Sequence, residues 1–191
     1  KVFPRFWTQD RRYFFVNILP GDFDIQETPF TNSIGLQRIS IDDGKVSYMF
    51  SGVAGQEYAY TMSEDGKKIV YVRQGDQPLK ITFKDTYSED EKTVTLALPN
   101  NGTGTYVSAG SITWSVDEQT AYLAAVYSEN GVESGRVLAI NTSNPVNQTI
   151  IYVDSTPFKL VQFSFHDWDA GICKLDADIE SYCPKRLHLD D

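Results

Sequence analysis

Cys173 and Cys183 are the only cysteines, ten residues apart near the C-terminal end. A metal site needs more ligands at closer spacing, and only His166 and His188 could join them. We therefore expect a local disulfide that clips residues 174–182 into a loop. Asp167-Trp168-Asp169-Ala170-Gly171 and Asp176-Ala177-Asp178 offer hard oxygen ligands of the kind calcium takes. The glycine falls one position early for an EF-hand-like loop and the closing glutamate is missing. Solvated acidic turns are the ordinary reading, with calcium at Asp167 and Asp169 the alternative and no other cofactor expected. Acyl transfer would need the nucleophile elbow G-x-S-x-G, and Gly110-Ser111 lacks the second glycine. Residues 115–122, Ser-Val-Asp-Glu-Gln-Thr-Ala-Tyr, fall short of a sialidase Asp box, with the threonine shifted and the glycine absent. No arginine cluster waits for a substrate carboxylate. His166, between Phe165 and Asp167, reads as a hydrogen-bonded structural histidine before it reads as a base. No catalytic residue is assigned, and the sequence leans away from an enzyme.

Three N-x-S/T sequons begin at Asn101, Asn141 and Asn147, where roughly one is expected by chance. All lie in polar turn segments. With the cysteine pair they point to a secreted or extracellular glycoprotein. The chain begins at Lys1, with no signal peptide, as expected of a processed or excised form. Among 191 residues, 26 are acidic and 17 basic, a net charge of −9. The basic pairs Arg11-Arg12, Lys67-Lys68 and Lys185-Arg186 are scattered, which argues against nucleic acid and an anionic membrane surface. No apolar run approaches the ~20 residues of a spanning helix.

The elements that must position these residues are strands. Aromatics make up 13% of the chain, and aromatics favour strands. No stretch keeps a helical apolar face without a turn interrupting it. Short apolar runs dominate instead, at 13–19, 35–41, 45–50, 68–73, 93–98, 111–116, 121–127, 135–140 and 149–153, separated by Gly, Asp and Asn turns. Four segments also align. Each carries an aromatic (Trp7, Tyr60, Trp114, Phe165), then an aspartate (Asp10, Asp65, Asp117, Asp167), and in the first three an apolar strand follows. The aspartates are spaced by 55, 52 and 50 residues. A period near 50 with four strands per unit is that of a β-propeller blade.

Ser63-Glu-Asp-Gly-Lys-Lys-Ile-Val-Tyr-Val72 resembles the S-x-D-G-K repeat of Tol-system and prolyl-oligopeptidase-type propellers, and Trp114-Ser-Val-Asp117 with Ala121-Tyr-Leu123 is similar. Arg11 and Glu118 stand where that repeat has glycine. The resemblance implies an all-β, propeller-like fold of about four four-stranded blades, with an irregular β-sandwich as the alternative. The approximate blades of this single domain are 1–53, 54–107, 108–157 and an incomplete 158–191. The four aromatics are expected to pack between blades.

Propeller loops gather on one face, the usual binding surface. The loop candidates are Asp22, Phe23, Asp24, Glu27 and Phe30, with Tyr106 in the 99–110 segment. The acidic run 88–92 reads as a solvated hairpin tip. The leading expectation is a non-enzymatic extracellular domain that binds protein or assembles with its own kind, through loops and blade edges. The alternatives are a piece of a larger hydrolase propeller, as a serine-peptidase gating domain or a calcium-dependent hydrolase, and a glycan-binding lectin.

Overall fold

The computed structural model describes residues 2–18, 34–50, 58–99, 102–115, 117–162, 169–174 and 185–188. Their only regular structure is β-strand. The first sheet runs in the order β1 (Val2–Trp7), β2 (Tyr13–Ile18), β3 (Gly35–Ser40), β4 (Val46–Phe50). The second runs β5 (Tyr58–Met62), β6 (Lys68–Arg73), β7 (Lys80–Asp85), β8 (Glu91–Thr95). The third joins β9 (Thr105–Trp114), β10 (Thr120–Glu129), β11 (Val132–Asn141) and β12 (Gln148–Asp154). A three-stranded sheet follows, β13 (Phe158–Gln162), β14 (Asp169–Lys174), β15 (Lys185–His188). Each is a meander in which sequence neighbours pair, as in propeller blades. The fold is all-β and propeller-like, and the sandwich alternative is set aside.

Why the chain turns where it does is visible atom by atom at three aspartates. Thr8, Ser63 and Ser115 each donate their hydroxyl to the aspartate two residues on, at 2.7, 2.8 and 2.7 Å. Each hydroxyl also accepts the N–H five residues on, from Tyr13, Lys68 and Thr120. The aspartates accept the N–H of Arg12, Lys67 and Gln119. The hydroxyl and carboxylate thus satisfy backbone donors that the turn leaves unpaired. The residue after each aspartate, or after Asp65 directly Gly66, closes the turn with positive φ: Arg11 at 57°, Gly66 at 76° and Glu118 at 55°. Gly66 suits that conformation, whereas Arg11 and Glu118 hold it at a cost in strain.

A second tie recurs with each turn. The residue just after the third strand donates its N–H to the turn: Ile41 to Arg12, Thr86 to Lys67 and Thr142 to Gln119. Thr86 and Thr142 add a hydroxyl bond to the neighbouring carbonyls of Gly66 and Glu118. Ile41 has no hydroxyl to offer.

The chain divides into two compact units, Lys1–Gln74 with Thr82–Thr93, and Gly75–Ile81 with Val94–Asp191. In the first unit, Phe15, Leu36, Met49, Phe50, Tyr58 and Ile69 form a buried cluster, with Phe6, Tyr13, Tyr60, Met62 and Tyr71 packed against it. Phe50 stacks on Tyr58 at 4.4 Å and meets Tyr71 and Tyr60 at 5.1 and 5.3 Å. Each such side chain contributes about 1.5–3 kcal/mol by leaving water. The buried Arg38 ties β3 to the β7–β8 hairpin: its guanidinium donates to Ser47 Oγ, the Thr86 carbonyl and Glu89, and lies over the Tyr13 ring at 4.6 Å. In the second unit, Ile112, Leu123, Leu138 and Ile140 are buried with Ala121, Ala124 and Ala125. The β10–β11 turn is Asn130-Gly131, both at positive φ, as a two-residue hairpin of matched twist requires.

The aromatics expected between blades divide. Trp114 is buried and Tyr60 half-buried, but Trp7 is 52% exposed, tilted against Phe14 with ring centres 4.5 Å apart. Phe165 lies outside the described residues.

Candidate functional site

Two kinds of surface could meet a partner: the loops that join blades and the outer edges of the sheets. Of the loop candidates, Asp22, Phe23, Asp24, Glu27 and Phe30 lie outside the described residues. Asn101, Asp167 and Cys183 also lie outside them, as do the side chains of Asp169 in β14 and Cys173 beside it. His166 does too.

Tyr106 requires a correction. It is not on a loop but in β9, opposite Tyr127 of β10, and only 2% exposed. The two rings meet edge-on at 5.4 Å, and the Arg136 guanidinium lies 4.2 Å from the Tyr127 ring centre. Burial pushes the Tyr106 phenol up to about 12, against a smaller downward pull from Arg136. Among the described residues, Tyr106 Oη and Arg136 Nε are buried without a hydrogen-bond partner. Tyr106 packs against Tyr127, and the 102–104 segment packs on the same Tyr127. There Gly104 donates its N–H to Tyr127 Oη at 2.9 Å. A Cβ on Gly104 would stand 2.2 Å from the Ser128 carbonyl oxygen and 2.7 Å from Tyr127 Cζ, so only glycine fits. Thr103 gives both its N–H and its hydroxyl to Glu129 Oε1, at 2.8 and 2.9 Å. The Thr103 N–H, then its hydroxyl, holds the Glu129 carboxyl below its ordinary range. Residues 103 and 104 are thus bonded to Glu129 and Tyr127 of β10.

Asn141, the last residue of β11, and Asn147, in the turn before β12, are both exposed. Asn141 Oδ1 accepts the Asn144 N–H at 2.8 Å, an Asx turn. No side-chain hydrogen bond engages Asn147 among the described residues.

The sheet edges differ in kind. β8 presents Glu91, Lys92, Thr93 and Thr95 to solvent. β4 presents Val46 and Tyr48, the latter 55% exposed, and Ile41 of the preceding turn is also exposed. β12 presents Thr149, Ile151 and Val153. At the start of β12, Gln148 behaves as a surrogate peptide: its Oε1 accepts the Ala97 N–H at 2.8 Å, and its Nε2 donates to the carbonyls of Thr95 and Pro145. A cleft of about 380 Å³ opens there, lined by residues 97–99, Leu138 and residues 148–150. No periodic signal in the sequence marks such edges, because exposure depends on which strand is outermost.

At the turns, Asp10 is the most perturbed carboxylate. The Thr8 hydroxyl, then the Arg12 N–H, lowers it to about 2, and the Tyr87 hydroxyl adds a bond at 2.8 Å. These aspartates are consumed by the backbone and offer no free chemistry.

No family model matches the chain, and no curated protein matches it in sequence. Solved structures do match its fold. A protein described as TolB from Agrobacterium tumefaciens is 16% identical, with 91% of this chain and 54% of that chain covered, at a TM-score of 0.53. The acylaminoacyl peptidase of Pyrococcus horikoshii is 14% identical, with 94% and 28% covered, at 0.52. The hydrazine synthase of Kuenenia stuttgartiensis is 12% identical, with 87% and 47% covered, at 0.54. The likeness to TolB and to the peptidase bears out the resemblance read from the S-x-D-G repeats. The chain spans about half the length of the TolB and hydrazine synthase chains, and less of the peptidase. Identities this low speak for the fold alone. No helix among the described residues is long and apolar enough to cross a membrane.

Proposed function

We propose that this chain is an extracellular, non-enzymatic glycoprotein domain that binds protein or assembles with its own kind through blade edges and loops. One observation carries the reading: β4 is an outermost strand whose solvent row is Val46 and Tyr48 rather than charge. An open edge with unpaired N–H and C=O groups and an apolar row is a template for a further strand or an apolar partner. The three sequons and the cysteine pair support the extracellular setting. The test is a photo-crosslinking residue at Tyr48, with Lys92 on the polar β8 edge as the control, in secreting cells. A discrete crosslinked product at Tyr48 alone is expected. Equal or absent products at both positions would overturn the edge reading. Hydrolytic turnover abolished by changing one polar side chain would overturn the non-enzymatic part.

The second reading places the chain within a larger hydrolase. It is favoured by the likeness to a peptidase of which this chain spans only 28%. A parent reading frame carrying G-x-S-x-G would decide for it.

A further inference from the structure

We propose that Asn147 carries an N-linked oligosaccharide whose role is to cover the β12 edge. The inference rests on the extracellular reading above and deepens it. β12 is the outermost strand of its sheet, with β11 its one ladder partner among the described strands, and so presents a strand edge. Residues 148–153, Gln-Thr-Ile-Ile-Tyr-Val, hold no charge, no proline and no glycine. That is the composition of a segment that pairs with copies of itself. Ile151 is 42% exposed and Val153 53%, and Val146, just before the strand, is 69% exposed. The β8 edge carries Glu91 and Lys92 against the same hazard. β12 has no such residue before Asp154.

What β12 has instead is the sequon Asn147-Gln148-Thr149, which overlaps its first residues. The backbone of Asn147 is pinned: its N–H donates to the Asn144 carbonyl at 2.9 Å and its carbonyl accepts the Asn141 N–H at 3.1 Å. Its side chain is exposed and uncommitted among the described residues, and so is that of Thr149. Asn141, by contrast, spends Oδ1 on its own turn. Ile151 follows Asn147 by four strand residues, about 13 Å, within the span of a branched oligosaccharide.

The modification is redox-neutral. Asn147 Nδ2 attacks the anomeric carbon of a polyprenyl-diphosphate-linked oligosaccharide, held by the oligosaccharyltransferase. The new N–C bond forms, the C–O bond to diphosphate breaks, and polyprenyl diphosphate leaves. The amide proton passes to a base of the transferase. The polar glycan then hydrates the edge and bars a second β12 from pairing with it. The sequence places no sequon among residues 1–53, which include the first sheet.

The test uses the chain at its full natural length, secreted from a eukaryotic host. Deglycosylation in heavy-oxygen water converts each occupied asparagine to labelled aspartate, which mass spectrometry locates. Occupancy at Asn147 is expected. Occupancy at Asn101 or Asn141 without Asn147 would overturn this inference and leave the glycoprotein reading standing. No occupancy at any sequon would overturn both. Asn147→Gln and Thr149→Ala are each expected to raise the light-scattering mass from monomer to dimer or beyond. Adding Ile151→Lys should restore the starting mass. Should both sequon variants keep the parent's mass, with the parent's melting temperature, the covering role is overturned.

Discussion

Two arginines, each laid over a tyrosine ring from the third strand of its sheet, are held in opposite ways. Arg38 finds an acceptor for each nitrogen it offers: Ser47 Oγ, the Thr86 carbonyl and a 2.8 Å ion pair with Glu89. Arg136 has the ring of Tyr127 beneath it, but its Nε is buried without a partner among the described residues. A cation on a tyrosine face is thus not by itself an anchor. Arg38 holds a hairpin because its planar fork reaches atoms far along the chain, whereas Arg136 chiefly fills space.

Breaking the satisfied arginine should therefore cost most. Arg38→Met leaves the Thr86 carbonyl without its side-chain donor and frees Glu89, and should lower unfolding stability by about 3 kcal/mol in urea titration. The same change at Arg136 should cost no more than about 1 kcal/mol, since what is lost is the ring contact and weak charge interactions with Tyr106 and Glu129. Equal losses would erase the distinction.

The three aspartate turns sharpen the contrast between satisfied and strained positions. Gly66→Ala would set a Cβ 2.7 Å from Phe6 Cε1 at a φ of 76°, and should cost about 2 kcal/mol. Glu118→Gly goes the other way, relieving a φ of 55°, and should gain about 0.5 kcal/mol by thermal melting. The smallest effect is on acid stability. Asp10 titrates near 2 when folded, below the ~3.9 of an unfolded aspartate, so its contribution is full above about pH 4 and fades as pH falls through 2. Asp10→Asn should lower stability above about pH 4, where that contribution is full, and flatten the acid-unfolding profile across the window, so that the two proteins converge below about pH 2.

Much of the blade plan was legible because it rests on local chemistry. A hydroxyl two residues before an aspartate, with an apolar strand after it, marks a turn whatever follows. Glycine at the closing position is the usual cue, and Arg11 and Glu118 conceal it while the bonds persist. Strand lengths were less legible. β9, β10 and β11 each run ten residues, through Ser108, Gly110, Ser128 and Glu133, which an apolar-run criterion excludes. Asn130-Gly131 is a strong hairpin signal, lying in the gap between the apolar runs 121–127 and 135–140. Tyr106 was misplaced for the same reason: once β9 is extended to Thr105, its partner Tyr127 buries it. The Gln148 surrogate bond and the Arg38 fork join residues about fifty positions apart, and no spacing rule reports them.

The tie from the end of each third strand back to its aspartate turn has a further consequence. The tied groups are 29, 19 and 23 positions apart in the three sheets, yet the N–H to carbonyl bond is the same. The clasp fixes where a blade's middle connection must return and leaves its length free. Segments grafted between the second and third strands would then be charged mainly loop-closure entropy, which grows only with the logarithm of length. The β10–β11 tip at Asn130-Gly131 is accordingly a natural port for inserting a peptide or a small domain, with the blade behind it left in register.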